Sequence, residues 1–245
     1  MERVLAVRPM LLAAALAAAL SGCGSQQAES GRIVKQALAG FFPGGGGAET
    51  APSPAQQATV AAAPAGLTRA QVDASGVAMI RARLASETAR SVLTGASEND
   101  GYVSYVSRFG QMLTLRGSLV TASRGLGYDL LSLSPGADDP LVRPRPVGAW
   151  PARVTRTYRF PGRGPGGRAL SVQCTYVPGQ TRRIEIVEVV HTGIQVEERC
   201  AGGGVAFSNY HLADARSGFV WRSLQWLGPE QGFIDLEVLE PFTGD

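Results

Sequence analysis

Three kinds of side chain in this 245-residue chain could carry chemistry: thiols, a run of guanidinium groups, and a few histidines and carboxylates. Cys174 and Cys200 are 26 residues apart. In an exported chain such a pair is most simply one disulfide, and closing that loop stabilises by roughly 3 kcal/mol. The competing chemistry is a reactive thiol at Cys200, which sits in Glu-Arg-Cys-Ala-Gly with His191 nine residues before it. It lacks the Ser-His-Gly-Cys context that periplasmic cysteine transpeptidases display. Among 23 basic residues Lys35 is the only lysine. Residues 143–183 hold nine arginines and no acid, whereas residues 184–245 hold ten acids and three arginines. Arg143, Arg145, Arg153, Arg156, Arg159, Arg163 and Arg168 could form an anion-binding surface for acidic polysaccharide, lipid phosphate or lipopolysaccharide. Equally, Arg153, Arg156 and Arg159 could pair across strands with Glu185, Glu188 and Glu197. His191 and His211 are the only histidines; neither has a zinc-like spacing, and both are expected to be structural. Gly-x-Ser-x-Gly and Gly-x-x-x-x-Gly-Lys are missing. Glu197 and Glu198 would point to opposite sheet faces, while Asp235 and Glu237 would share one near 7 Å apart, close enough for a carboxylate pair but expected to form a solvated strand edge. No catalytic residue, cofactor or metal ligand is assigned.

The compartment follows from the N-terminus. Arg3 and Arg8 precede an apolar run from Met10 to Leu20, then Leu20-Ser21-Gly22-Cys23. A run of about 11 residues is too short to span a bilayer, which takes about 20, and reads as the core of a signal peptide over residues 1–22. The pattern resembles that of bacterial lipoproteins, in which cleavage leaves Cys23 as a lipidated N-terminus carrying palmitate-like chains. Several such chains, each buried methylene contributing about 0.8 kcal/mol, hold a protein on a membrane without a spanning helix. Gly24 follows Cys23, in place of the Asp that retains some lipoproteins at the inner membrane. The expectation is therefore a lipid-anchored, periplasm-facing protein of the outer membrane.

The elements that must position these groups come after a leash. Residues 30–40 put Ile33, Val34, Ala37 and Leu38 on one face of a short helix within a lipidated segment, 23–42. Residues 43–66 are rich in Gly, Pro, Ala, Gln and Ser and predict a flexible linker. In total 31 Gly and 15 Pro greatly exceed the roughly 12% of average usage, and most others punctuate a domain over 67–240. Thr68 with Gln71 makes a capping box, and Val72, Gly76, Met79, Ile80, Leu84 and Ala85 then recur at helical spacing. One amphipathic helix of about 20 residues is expected, reaching the 91–94 region. From residue 102 the period becomes two, giving strands near 102–107, 112–116, 119–122, 153–160, 170–177, 182–191, 194–200, 205–210, 218–227 and 232–239. Leu170, Val172, Cys174 and Tyr176 share one face, as do Ile194, Val196 and Cys200, which makes the disulfide sterically reasonable. The fold class is mainly β, an antiparallel meander forming a barrel or sandwich, preceded by one amphipathic helix. A formal charge of +3 and an exported location argue against nucleic-acid binding.

Several segments together resemble one family. They are Arg116-Gly117, Thr121-Ala122-Ser123-Arg124-Gly125-Leu126-Gly127-Tyr128-Asp129-Leu130-Leu131, Thr157-Tyr158-Arg159-Phe160, Cys174, Val196-Glu197-Glu198-Arg199-Cys200, and Ser223-Leu224-Gln225-Trp226-Leu227-Gly228-Pro229. Their order and spacing over about 67–239 are similar to the YjbF/GfcB lipoproteins. The resemblance implies a mainly β fold and a role in exopolysaccharide or group 4 capsule export. It also implies partnership with an outer-membrane barrel and a periplasmic accessory protein, and it transfers no catalytic residue. The long tether departs from the family pattern. The expected function is a non-enzymatic lipoprotein assisting polysaccharide assembly or export. The alternatives are a polysaccharide-modifying hydrolase or lyase, and an envelope-assembly protein that does not touch glycan.

Overall fold

The computed structural model describes residues 66–164 and 166–244; the expected signal peptide, Cys23, the expected helix over 30–40 and the expected linker up to residue 65 lie outside them. A helix α1 (Arg69–Ser75) opens the described chain. Twelve strands follow: β1 (Met79–Leu84), β2 (Ser91–Asn99), β3 (Tyr102–Ser107), β4 (Met112–Arg116), β5 (Leu119–Arg124), β6 (Ser132–Ser134), β7 (Val154–Phe160), β8 (Arg168–Ile186), β9 (Val189–Gly202), β10 (Val205–Ala213), β11 (Val220–Gly228) and β12 (Gly232–Glu240). Each pairs antiparallel with its sequence neighbour, β1 also pairs with β12, and β5 and β6 end the sheet order. At that seam Ser123 donates its N–H to the Leu130 carbonyl at 3.0 Å, so the sheet curls into a nearly closed barrel. Of the two expected architectures the chain adopts the barrel.

Strand alternation sends Ile80, Leu115, Val172, Val196 and Leu236 into one continuous interior core. Tyr158, Phe160, Phe207 and Trp226 pack there as an aromatic cluster, with Phe207 and Trp226 stacked at 4.2 Å. Cys174 faces Cys200 across β8 and β9, and their sulfurs are joined at 2.07 Å. One end of the barrel is capped by residues 135–153. Leu141 and Val147 are buried, Ser118 donates to the Leu141 carbonyl at 2.7 Å, and Val147 donates to Ala215 at 3.1 Å.

The helix is shorter than the periodicity predicts. Its capping box forms as expected between Thr68 and Gln71, but Gly76 adopts φ 63° and ends the helix after seven residues. Met79, Ile80 and Leu84 belong instead to β1, and the 91–94 region to β2. An apolar set at 79, 80, 82 and 84 fits a strand as well as a helix, and the sheet gains backbone partners on both sides. The expected strand over 182–191 is likewise broken. Ile186 pairs with Val189, and Val187 and Glu188 turn with φ 46° and 65°. Two consecutive positive φ values suit a two-residue hairpin turn, here without the Gly or Asn that usually signals one. The tip of this long β8–β9 hairpin grips α1: Ile184, Ile186 and Val187 pack with Val72 and Leu239, and Glu188 accepts the Arg69 N–H at 3.1 Å.

Candidate functional site

The arginine-rich segment does not form one patch. β7 alternates, so Val154, Arg156, Tyr158 and Phe160 point inward while Thr155 and Arg159 point outward, and Arg153, the residue before the strand, is exposed. Three apolar neighbours at even spacing already mark position 156 as interior, a signal that the charge run obscures. Arg156 is fully buried and is therefore withdrawn from any surface that meets a ligand. Its Nε donates to Asp139 Oδ2 at 2.7 Å, and its Nη2 donates to Asp139 Oδ1 at 3.1 Å and to the Tyr176 hydroxyl at 3.0 Å. Its Nη1 meets Glu198 Oε1 at 2.7 Å as an ion pair off the hydrogen-bond angle. Glu198 Oε2 accepts from Asn209 Nδ2 at 2.8 Å and from His211 Nε2 at 3.1 Å. A carboxylate can only accept, so His211 carries its proton on Nε2, and Nδ1 has no hydrogen-bond partner among the described residues. Burial alone would push the Glu198 carboxyl up; the Arg156 charge and the His211 and Asn209 donors outweigh it and hold the group at about 2. Desolvation pushes the Tyr176 hydroxyl up.

This network joins a loop residue, Asp139, to four strands, β7 to β10. It is a histidine–carboxylate contact, but Asp139, Arg156, Glu198 and His211 are all sealed from solvent. Sequence reasoning assigned neither Asp139 nor the Arg156–Glu198 pair, because they meet from elements 17 and 42 residues apart with no shared motif. Cys174, Cys200 and Glu198 also cluster within 4.8 Å. Both sulfurs are engaged with each other and the carboxylate with Arg156.

Asp235 and Glu237 share a face as expected, yet they do not form a solvated edge. β12 lies between β1 and β11, and both carboxylates are buried. Arg222 Nη2 meets Asp235 at 2.8 Å, Arg83 meets it at 3.1 Å, and Arg81 Nε donates to Glu237 at 2.6 Å. Nor do Arg153, Arg156 and Arg159 pair with Glu185, Glu188 and Glu197. β7 borders β6 and β8, where Arg156 faces Val172 and Arg159 faces Ala169. Glu185 and Glu188 sit at the hairpin tip, while Glu197 pairs with Arg199 two residues along its own strand at 2.8 Å.

The remaining arginines disperse. Arg145 donates to the Asp138 carbonyl at 2.6 Å and Arg143 is exposed beside it on the capping loop. At the opposite end Arg168 pairs with Glu230 at 3.4 Å and lies over Phe160, Arg159 reaches the Gly166 carbonyl at 3.4 Å, and Arg163 is exposed. Arg153 stands on the outer face of β7–β10, where the register lays out polar rows. Thr175 faces Arg199 and Arg199 faces Ser208; the next row is Thr155, Gln173, Ala201 and Ala206. Arg153, Gln173, Thr175, Arg199, Ala201, Ala206 and Ser208, with Cys200 and Phe207, surround a shallow hollow of about 550 Å³. Ser208 donates to Glu197 at 3.0 Å, and the Arg199 contact holds the Glu197 carboxyl below its ordinary range.

The most distinctive turn has a structural explanation. Asp129 accepts from the Gly125 N–H at 2.9 Å, the Leu126 N–H at 3.1 Å and the Ser123 hydroxyl at 3.1 Å. Gly125 and Gly127 adopt φ 78° and 101°, angles that side chains resist.

A family model described as "Group 4 capsule polysaccharide lipoprotein gfcB, YjbF" matches residues 34–239. No curated protein matches the chain. Among solved structures, the hypothetical lipoprotein YmcC from Escherichia coli K12 superposes with a TM-score of 0.62 at 16% identity, covering 80% of this chain and 100% of its own. At that identity the likeness is one of fold.

Proposed function

We propose that this chain, which belongs to the YjbF family of group 4 capsule polysaccharide lipoproteins, is a non-enzymatic lipoprotein of the outer membrane that assists polysaccharide assembly or export from the periplasmic side. Family membership over residues 34–239 carries the reading. Cys23 is the lipid attachment point, residues 43–66 the leash, and the barrel the working part. The partners are an outer-membrane barrel and a periplasmic accessory protein of the same export system. The chemistry inside the barrel supports binding rather than catalysis. Its histidine–carboxylate contact is enclosed, with Glu198 held ionised by Arg156 and therefore unsuited to exchange protons near neutral pH. A hydrolase or lyase would need such groups to converge on a cleft.

Deletion of the gene in its native host tests the role. Less secreted polysaccharide, or polymer of altered length, is expected; unchanged quantity and size distribution would overturn it. A Cys23→Ala protein is expected in the soluble periplasmic fraction, and recovery with membranes would contradict the anchor.

A further inference from the structure

We propose that the hollow on the outer face of β7–β10 binds an acidic sugar unit of an anionic polysaccharide, with Arg153 and Arg199 holding its carboxylate and Gln173, Thr175 and Ser208 its hydroxyls. The inference rests on the polysaccharide reading above and names the surface that would serve it.

Four observations carry it. Arg153, like Arg143, Arg163 and Arg183, is exposed and has no ion-pair partner among the described residues, but it alone of these lines the hollow, whereas Arg145, Arg156, Arg159 and Arg168 are engaged with backbone, acid or ring. Arg199 stands in the same row two strands away, about 10 Å between backbones, a gap that two long guanidinium side chains can bridge around one planar anion. In the hollow's lining Ala201 and Ala206 leave room and Gln173 and Thr175 offer amide and hydroxyl groups beside Cys200 and Phe207, while Glu197, outside the lining, pairs with Arg199 at 2.8 Å. Ser208 gives its proton to Glu197 and keeps lone pairs free to accept. Finally, the surface is held still. The Cys174–Cys200 disulfide lies under the hollow and ties β8 to β9 at that point, so little strand ordering is left for binding to cost. Hydroxyl and amide groups beside the unpaired Arg153 and the Glu197-paired Arg199 match a polyhydroxylated acid.

The test is titration calorimetry of the purified full chain in detergent, with polygalacturonate oligomers against uncharged dextran oligomers of equal length. The native chain should prefer polygalacturonate by about tenfold or more, the size of one charge-assisted contact. Arg153→Gln, at an exposed unpaired position, should remove most of that preference, and Arg153→Gln with Arg199→Gln all of it, with the thermal midpoint unchanged. Equal binding of both polymers, binding of neither, or full retention in the Arg153→Gln variant overturns the assignment. In cells the double variant should fail to restore secreted polymer to a deletion strain. If deletion lowers the polymer and the double variant restores it fully, the hollow is wrong and the export role stands. If deletion changes nothing, the role is wrong, and calorimetry still decides the hollow.

Discussion

Arg156 shows how one side chain can serve a fold at the expense of an apparent surface role. Its guanidinium is neutralised by Asp139 and Glu198 and completed by Tyr176. Removing one member of a buried ionic set leaves an unpaired charge in a low-dielectric interior, which costs about 3–5 kcal/mol. Arg156→Met should therefore lower the unfolding free energy by about that amount, measured by urea titration; a loss below about 1 kcal/mol would contradict the network's role. The same network sets a pH dependence. Glu198 titrates at about 2 in the folded chain against an ordinary 4.5. A depressed carboxylate contributes stability that is fully present above the unfolded value and is lost as pH falls through the folded one. Stability should fall between about pH 5 and 2 by roughly 3 kcal/mol more in the native chain than in Glu198→Gln measured against its own neutral-pH value. Parallel curves would remove Glu198 from the account.

At the scale of elements, the sequence was readable where alternation met a Gly or Pro turn and opaque elsewhere. β3 and β4 occupy the expected residues, and β10–β12 differ from expectation at their ends. β1 was hidden because Met79, Ile80 and Leu84 satisfy both periods, and only β12 and β2 decide between them. The turn at Val187–Glu188 was hidden because neither residue type favours positive φ. The seam strand β6, three residues long, carries too little pattern to be seen. The interior network was illegible for another reason: pairing of Asp139 with Arg156 depends on how a loop caps the barrel, which local periodicity does not encode. The disulfide acts at this scale, joining the longest hairpin near its base. Cys174→Ser with Cys200→Ser should lower stability by roughly 3 kcal/mol and leave far-ultraviolet circular dichroism unchanged. Equal denaturation midpoints for native and variant chains would show that the closed loop contributes nothing. The Asp129 turn makes a smaller claim: Asp129→Ala strands two backbone donors and a hydroxyl and should cost about 1–3 kcal/mol.

The described residues form a circular meander whose neighbours in sequence are neighbours in space, with its seam between β5 and β6. One barrel end is closed by the 135–153 loop, while the outer face of β7–β10 remains polar and open. The charge division along the chain, nine arginines followed by ten acids, turns out to serve two ends. Arg156 and Glu198 from the two halves meet in the interior, and Arg153 remains on the surface. Such an architecture suits the role proposed above, in which the barrel meets a polymer or its export partners on a sheet face. The amount and chain-length distribution of secreted polysaccharide, compared between a deletion strain and the same strain carrying the full chain in trans, test that claim most directly. The account predicts reduced or altered polymer on deletion and its recovery on complementation; polymer identical in amount and length in both strains would contradict it.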